Sequence, residues 1–549
     1  MSRGSTILRK YAMLIHRWMG VAFCVLFLVW FVSGIVMMYW GYPDISTAER
    51  LARSEALDAS RIQMIQISPE EAYRRLKLSG APDRVRINLL DGRPVYRFHY
   101  EADQFVAYAD TGEPVYEVQA EQALRIAAAW TGQPASAAER QGLLDEADQW
   151  TLSGFAALRP LFQYAWPDGE VVYVSQVTGE VVQHTTRESR IWAYLGAIPH
   201  WLYFTPLRRN QPLWYDIVVW SSGIGTIMSI FGIVIGIWLY SPSRRRFRFR
   251  KRKEGEQDTS GKLWRAVVSP QGRSSIPYSG QKRWHTMLGL VFGLFACTWA
   301  FSGMLSMGPF EWLGGRGSVD VRGALRGAEW RPEPFSAESP RQALARVSSS
   351  LAVKEVELAF FGGEQVYLAT ESPQRSLIIT NLGQPAPGSP QEQFDAERVR
   401  EAIAQGAQPH SLAEVRVVTE YEAYYIDREY GLPLPVLFVK LNDSEGSMYY
   451  VDLRTARVVQ SYGSGGRWNR WLYHGLHSLD LPWLYRYRPA WDIAVLFLML
   501  GGTGLCVTSV VIAWGRLRRK VAMASARSAY AAASRNAKEV SSPAARAGS

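Results

Sequence analysis

The stretch His16-Arg17-Trp18-Met19-Gly20 opens a long apolar segment, and His285-Thr286-Met287-Leu288-Gly289 opens a second one. In both segments a Ser-Gly pair follows the histidine by seventeen positions, at Ser33 and at Ser302. An ionisable residue at the mouth of a membrane helix is usually functional, because placing it near lipid is costly. Since the histidine recurs with its surroundings, the sequence predicts an internally duplicated membrane protein with a two-fold histidine site.

The apolar segments set the number of membrane crossings. A transmembrane helix needs about 20 consecutive apolar residues. Four segments meet that requirement, namely residues 21–40, 217–240, 286–310 and 493–514. The chain has 549 residues, and its mean hydropathy lies just below zero. We therefore expect an α-helical bundle of four spans that alternates with soluble domains.

Lysine and arginine set the orientation, because they concentrate in three connecting segments, namely residues 1–20, 241–283 and 516–549. The positive-inside rule places these segments in the cytoplasm, with both chain termini. Residues 41–213 and 311–490 are then expected in the periplasm, with the protein in the inner membrane of a bacterial cell. Because this rule also explains the net charge of +11, no nucleic-acid partner is predicted. The Ala- and Ser-rich tail is predicted to be partly disordered.

Both periplasmic segments carry the signals of an α+β domain. Ser68-Pro69 and Ser339-Pro340 combine an N-cap residue with a proline at the first helical position, which predicts a helix near the start of each segment. Short alternating stretches with glycine-containing turns then predict antiparallel strands. Thr178 and Thr455, in the final hairpins, are 277 positions apart, and so are two histidines that follow them. The soluble halves are therefore predicted to be duplicated together with the spans.

Two sets of residues resemble a known family. The final strand pair of the first segment, with Tyr173-Val174 before Thr178-Gly179, resembles a PepSY domain. The span that begins at His285, and the stretch His477-Ser478-Leu479-Asp480-Leu481-Pro482-Trp483-Leu484-Tyr485, resemble the PepSY-associated transmembrane family. The similarity extends from about Tyr11 to Leu517, which is nearly the whole chain.

The resemblance implies a fold and an activity. Some members of that family are bacterial inner-membrane haem proteins that reduce ferric siderophores at the periplasmic face. It therefore implies two periplasmic PepSY-like domains, bound haem and oxidoreductase chemistry directed at iron. The first half departs from the family pattern at His200, which lacks the aspartate that follows His477.

Five of the eight histidines gather at the predicted membrane boundaries, namely His16, His285, His200, His474 and His477. Imidazole is the usual axial ligand of b-type haem, and the chain has no CxxCH motif for covalent attachment. His16 and His285 occupy equivalent places on the cytoplasmic side and are predicted to bind one haem iron. His200 and His477 are predicted to bind a second one near the periplasmic face. His474 has no counterpart in the first half, and either replaces His477 as ligand or contacts substrate.

Arg208 and Arg488 lie beside the outer histidines. Either they pair with haem propionates or an anionic substrate, or they anchor the chain at the membrane interface. No GxGxxG follows a strand and no P-loop is present, and residues 241–283 are too short for a flavin or nicotinamide domain. Electrons must therefore come from a quinol or a separate cytoplasmic reductase.

Together these patterns lead to the hypothesis of electron transfer across the bilayer, through two b haems, to a ferric siderophore or another ferric chelate. Such a protein is a haem-dependent ferric reductase for iron uptake, and it needs no acid–base residue because the cofactor carries the chemistry. Two alternatives stay open. One is a non-enzymatic PepSY membrane protein that binds peptide or regulates a protease, and the other is a transporter of iron or siderophore.

Overall fold

The computed structural model describes residues 3–101, 103–152, 154–240, 248–251, 264–267, 275–380, 388–427 and 431–540. The chain divides into two compact units. The first unit, which we call the helical unit, comprises Met1–Ile35, Ile217–Met304 and Pro489–Ser549. The second, which we call the soluble unit, comprises Val36–Asp216 and Leu305–Arg488.

The described α-helices are α1 (Arg3–Met37), α2 (Thr47–Arg53), α3 (Ala59–Gln63), α4 (Pro69–Arg75), α5 (Ala120–Thr131), α6 (Arg187–Leu195), α7 (Ala197–Trp201), α8 (Thr205–Arg209), α9 (Gln211–Leu239), α10 (Gly280–Leu305), α11 (Val321–Arg326), α12 (Pro340–Ala345), α13 (Ala396–Gly406), α14 (Ser464–Asn469), α15 (Leu476–Ser478), α16 (Pro482–Tyr485) and α17 (Ala490–Val540). Short 3₁₀ turns occupy Ala135–Ala137, Ala156–Leu158, Glu311–Leu313 and Glu333–Ser336, and a π-helical turn occupies Arg470–Gly475.

The described strands are β1 (Arg84–Leu90), β2 (Arg93–His99), β3 (Gln104–Tyr108), β4 (Pro114–Val115), β5 (Glu139–Leu144), β6 (Leu161–Ala165), β7 (Val171–Ser175), β8 (Val181–Thr185), β9 (Arg248–Lys251), β10 (Trp264–Val267), β11 (Glu355–Phe361), β12 (Glu364–Ser372), β13 (Arg375–Ile379), β14 (Leu412–Val418), β15 (Val436–Leu441), β16 (Met448–Asp452) and β17 (Arg457–Tyr462). All the strand pairs among them are antiparallel. The pair β9–β10 forms a small hairpin of its own between α9 and α10.

Within the described ranges, four helices are long and apolar enough to cross a membrane, namely α1, α9, α10 and α17. The protein is therefore a membrane-spanning protein in a lipid bilayer. The helices begin earlier than hydropathy alone predicts: α1 at Arg3 rather than at residue 21, and α10 at Gly280 rather than at 286. Arginine and lysine have high helix propensity, so the backbone hydrogen bonds continue into the charged flanks.

In the C-terminal tail, α17 continues through the Ala- and Ser-rich sequence as far as Val540. Residues 541–549 lie outside the described residues, so the expectation of a partly disordered tail stays a prediction. Alanine has the highest intrinsic helix propensity, so this composition extends a helix that packing has already started. The packing is visible one turn earlier, where Arg516 and Lys520 lie 5.4 and 4.0 Å from the centroid of the Trp18 ring.

The long helices pack closely where an aromatic ring of one helix lies against a glycine of another. A Cβ atom added at Gly225 of α9 would overlap the ring of Phe27 on α1. A Cβ atom added at Gly502 of α17 would overlap the ring of Phe31, one turn further along α1. Small residues let membrane helices approach closely, and dispersion contacts then drive their association.

A seven-stranded antiparallel sheet with the order β13-β12-β11-β1-β2-β3-β4 joins the two segments of the soluble unit. Its central pair is β1–β11, with Val85 opposite Leu358. The prediction of separate domains at residues 41–213 and 311–490 is therefore corrected: both segments share one sheet and one hydrophobic core. The physical reason is that an unpaired edge strand exposes backbone donors and acceptors, and each segment covers the edge of the other.

Each segment also ends in a four-stranded antiparallel sheet that follows a helix, in the order expected of a PepSY-like domain. In the first segment α5 packs on β5-β6-β7-β8, with Ala127 and Val172 in the shared core. In the second segment α13 packs on β14-β15-β16-β17, with Ile403 and Val439 in the shared core.

The two helix starts predicted from Ser-Pro pairs are confirmed. The side chain of Ser68 accepts a hydrogen bond from the backbone N–H of Glu71 at the start of α4. Ser339 and Gln342 form a reciprocal capping box at the start of α12. In both helices proline occupies the first turn, where its missing N–H costs nothing.

Candidate functional site: two facing histidine pairs

The structure brings His16 of α1 and His285 of α10 together inside the helical unit. The centroids of their imidazole rings lie 6.2 Å apart, with an angle of 39° between the ring planes. A histidine nitrogen binds a metal at about 2 Å, so two imidazoles on opposite faces of one metal have ring centres about 6 Å apart. The observed separation therefore matches two axial ligands of a single metal ion.

Hydrogen bonds fix the tautomer of His16 and His285, which we call the inner pair. Nδ1 of His16 lies 3.0 Å from the carbonyl oxygen of Met228, which can only accept, so Nδ1 must carry the proton. Nδ1 of His285 lies 3.3 and 3.2 Å from the hydroxyl oxygens of Thr508 and Ser509. Both hydroxyls donate to the carbonyl of Leu505, so they too act as acceptors for the ring. Each Nε2 therefore keeps its lone pair, which is the state a metal ligand requires.

Glycines shape the space around the inner pair. A Cβ atom added at Gly232 of α9 would lie 2.8 Å from Cε1 of His16, so only glycine allows the ring to pack there. One turn beyond the histidines, an added Cβ at Gly20 would meet no atom within 4 Å, and at Gly289 it would meet only Leu505, at 3.7 Å. The space beside these two glycines is therefore open, which is consistent with a flat group lying against the helices there.

A second histidine pair lies in the soluble unit. His200 of α7 and His477 of α15 have ring centroids 6.1 Å apart, with an interplanar angle of 67°. This separation again matches two ligands on opposite faces of one metal. The sequence could suggest this pair only through the repeat, since the two residues lie in different soluble segments.

The backbone after His200 and after His477, which we call the outer pair, adopts the same uncommon conformation. Leu202 and Leu479, each two residues after its histidine, have φ angles of 54° and 50°. Non-glycine residues seldom adopt this left-handed region, and they do so where the surrounding structure imposes it, often at functional sites. Both leucines end the short helix that carries the histidine, so the two rings are presented by the same kind of turn.

Two side chains that sequence reasoning missed hold these turns in place. Arg470 is buried and donates from Nε to the carbonyl of Ala423 at 2.9 Å and from Nη2 to the carbonyl of Asp480 at 2.7 Å. In the other half, Gln149 donates to the carbonyl of Tyr203 at 2.6 Å. Neither contact has a sequence signal, because each joins residues that lie far apart in the chain or across a turn.

His474 lies in the π-helical turn Arg470–Gly475 and is exposed. Its ring centroid is 4.5 Å from that of Tyr473, which also lies 5.6 Å from the ring of His477. A π-helical turn is rare and is found mostly at functional sites. The histidine whose ring lies opposite His200 at 6.1 Å is His477, and His474 stands one turn earlier on the accessible surface.

The two candidate arginines differ in their surroundings. Arg208 of α8 is buried, and its guanidinium lies 4.4 Å from the centroid of the Trp214 ring and 5.2 Å from that of Tyr203. Arg488 is exposed, with its guanidinium 5.7 Å from the Tyr485 ring. Stacking on aromatic rings is a common setting for arginines that recognise carboxylates.

The described part of the chain has no group of three or more His, Cys, Asp or Glu side chains arranged to hold a bare metal ion. An imidazole pair alone fills two coordination positions and leaves the others to ligands from outside the chain. A porphyrin provides those four ligands as nitrogen atoms in one plane, so the donor set of each pair fits haem.

The comparison with known proteins agrees with this architecture. The family model described as the PepSY-associated TM region matches the chain twice, over residues 13–374 and over residues 283–538. No curated protein matches the chain. Because the two matches together cover nearly all of the sequence, the chain belongs to the family of PepSY-associated transmembrane proteins.

Proposed function

We propose that this protein carries electrons across the bacterial inner membrane, through two b haems, to a ferric complex in the periplasm. The observation that carries the proposal is the near-identical ring separation in the two histidine pairs, 6.2 Å for His16–His285 and 6.1 Å for His200–His477. Haem, when bound, supplies reversible one-electron chemistry between Fe(III) and Fe(II). The chain supplies ligands, orientation and insulation.

The inner histidines are suited to electron transfer within a bilayer. As neutral imidazoles, they would hold a haem iron through Nε2, so no protein charge would be buried with them. Met228, Thr508 and Ser509 accept from the Nδ1–H groups, which holds the rings in one orientation and raises their basicity as ligands. The ligand set is then nearly the same in both oxidation states, and the chain has little to rearrange when an electron arrives.

The outer pair is proposed as the exit. His200 and His477 belong to the soluble unit, whose two segments we place in the periplasm from the distribution of lysine and arginine. There an electron passes to an external ferric siderophore or another ferric chelate, whose iron changes from Fe(III) to Fe(II). Arg208 and Arg488 are proposed to pair with propionates or with an anionic chelate, and their stacking on the rings of Trp214 and Tyr485 supports this role.

The reducing equivalents come from a quinol or from a separate cytoplasmic reductase. We further propose that the chain arose by duplication, since the histidines, the glycines and the left-handed leucines all recur in the second half. In this arrangement both termini and residues 241–283 are cytoplasmic.

Absorption spectroscopy of the full-length protein, purified from haem-replete cells, tests the proposal. We expect a Soret band, and alpha bands that sharpen on reduction, from a six-coordinate low-spin iron with two histidine ligands. The matched control is the double variant His16→Ala/His477→Ala, which removes one ligand from each pair and should lose both low-spin signals. A colourless native protein would refute the proposal and favour a peptide-binding or regulatory role, or the transport of iron or siderophore.

A further inference from the structure

A buried cluster of arginine and glutamate side chains links the seven-stranded sheet to the first four-stranded sheet. Arg50, Arg84 and Arg86 all bond to Glu355, each at 2.8 Å. Arg86 also holds both carboxylate oxygens of Glu180, at 2.7 and 2.9 Å. A third carboxylate, that of Glu357, accepts from Nε of Arg84 at 2.8 Å and pairs with Arg457, so all three carboxylates of the cluster are engaged and the arginines outnumber them.

Arg97 is the arginine of this cluster that has no carboxylate of its own. Its side chain is 1 % exposed. Nε donates to the amide oxygen of Asn88 at 2.8 Å, and Nη1 donates to the carbonyl of Thr178 at 2.6 Å, so both close partners are neutral. The nearest carboxylate oxygen is that of Glu180 at 3.7 Å, and Arg86 already holds it. Among the described residues, no acceptor bonds to Nη2 of Arg97.

A buried guanidinium without its own counter-ion is costly, because burial removes the water that would otherwise solvate the charge. Burial lowers the pKa of Arg97 to about 10. The group remains a cation at neutral pH nevertheless. Nη2 of this buried cation has no acceptor among the described residues, which is best explained by a bound partner that the chain itself does not supply.

The space for such a partner is a cavity of about 130 Å³ lined by Arg97 and Asn88. Three further arginines line it, namely Arg50, Arg53 and Arg125. The carboxylates in its wall are already neutralised: Glu180 by Arg86, Asp91 by Arg125 and Glu55 by Arg61. Among the lining arginines, Arg50 pairs with Glu355, Arg53 with Glu49 and Arg125 with Asp91, so Arg97 is the one that has no carboxylate of its own.

We propose that this cavity is a binding site for a small oxyanion, a phosphate or a short carboxylate, with Arg97 as its central ligand. A planar guanidinium presents paired N–H groups that match two oxygens of such an anion, and these charge-assisted bonds are strong where water is excluded. Asn88 and Thr178 orient the fork, and Arg53 adds charge at the wall. The site shares no residue with either histidine pair, so its test does not depend on the proposed electron transfer.

Isothermal titration calorimetry on the full-length protein in detergent tests the site. The probes are sodium phosphate and sodium acetate at pH 7.5, with sodium chloride at equal ionic strength as the reference. We expect saturable binding of at least one oxyanion and none of chloride. Arg97→Gln should weaken binding by about 30-fold or more, because it removes the buried charge. Arg93→Gln, on the same strand but paired with Asp110 outside the cavity, should leave the dissociation constant unchanged.

Where Arg97→Gln does not fold, Arg97→Lys keeps the charge and loses the paired donors, and it should weaken phosphate binding by about tenfold. The proposal is overturned by either of two results. One is the absence of saturable binding of both oxyanions to the native protein. The other is an equal dissociation constant for the native protein and for a folded Arg97 variant.

Discussion

The ring centroids of His200 and His477 lie 6.1 Å apart, and a leucine in the left-handed conformation follows each histidine by two residues. The two turns are held by different side chains, Gln149 in one and Arg470 in the other. Equivalent presentation of the two rings with unrelated support indicates that the ring positions matter more than the way in which each is held.

Loss of the outer ligand should separate haem content from turnover. We expect His477→Ala to lose about half of the bound haem, because each pair is assigned one of two haems. The inner haem should still be reduced from the cytoplasmic side, while reduction of an external ferric chelate should stop. Haem content by pyridine haemochromogen assay and ferric reduction in membrane vesicles measure the two effects.

His474→Ala is the matched control for that variant, since His474 lies one turn away and is exposed. We expect it to keep both haems. If His474→Ala loses the haem and His477→Ala retains it, the assignment of His477 as ligand is wrong. If neither change alters haem content or ferric reduction, electrons do not leave at this pair.

The inner pair should behave as a unit. Because His16 and His285 are each proposed to supply one axial ligand to the same iron, either alanine variant should remove about half of the haem, and the double variant should remove no more. His410→Ala, in the loop after α13, should have no effect. Haem content that is unchanged in both single variants would exclude an inner site at these residues.

Topology can be tested with paired reporters. A reporter fused after Lys520 should be active only when it is of a cytoplasmic type, because lysine and arginine follow the apolar part of α17 there. A reporter inserted after Tyr116, an exposed residue between β4 and α5, should be active only when it is of a periplasmic type. Activity of the same reporter type at both positions would overturn the proposed four-span arrangement.

The soluble unit should lose stability in mild acid because of His99. Burial and the neighbouring Arg86 cation lower the pKa of His99 to about 3, from 6.5. Between pH 6.5 and 3, His99 therefore binds a proton in the unfolded chain but not in the folded chain. The contribution of neutral His99 to the free energy of unfolding is complete above pH 6.5 and is lost as the pH falls toward 3. His99→Gln keeps an acceptor for Arg86 but cannot titrate. We expect its apparent melting temperature to fall less between pH 7.5 and 5 than that of the native protein.

The matched control for this pH effect is His410→Gln, whose melting profile should follow that of the native protein. The difference between the native protein and His99→Gln at pH 5 should be on the order of 1–2 kcal/mol. Parallel profiles for the native protein and His99→Gln would show that His99 does not cause the loss.

Glu355 should be the most sensitive carboxylate in the soluble unit. Three arginines share it in the buried link between β1 and β11, and their charges lower its pKa to about 2 against the effect of burial. Glu355→Gln removes the carboxylate that Arg50 pairs with and one of the two carboxylates that each of Arg84 and Arg86 pairs with, and should cost about 3–5 kcal/mol in the free energy of unfolding. Glu371→Gln, whose exposed partner is Arg375, should cost less than about 1 kcal/mol. Denaturant titration followed by limited proteolysis measures both, and equal losses would contradict the shared-sheet account.

The local features of this protein could be predicted from its sequence. Each of these features is defined by residues close together in the chain. They are the four apolar segments, the Ser-Pro helix starts at Ser68 and Ser339, and the recurring spacing that follows His16 and His285. Hydropathy, capping and repeat spacing are properties of short stretches, so they can be read without knowing what the chain packs against. The helix that continues into the Ala- and Ser-rich tail follows from the high helix propensity of alanine.

Only the tertiary structure decided which distant groups meet. The pairing of β1 with β11, the hydroxyls of Thr508 and Ser509 that hold His285, and the buried Arg97 in its cavity all join residues far apart in the chain. No short-range pattern marks such contacts, because a strand edge, a hydroxyl or an arginine has many possible partners of equal local chemistry. The choice among them is made by the packing of the whole core, where each buried polar group must find an acceptor or a counter-charge.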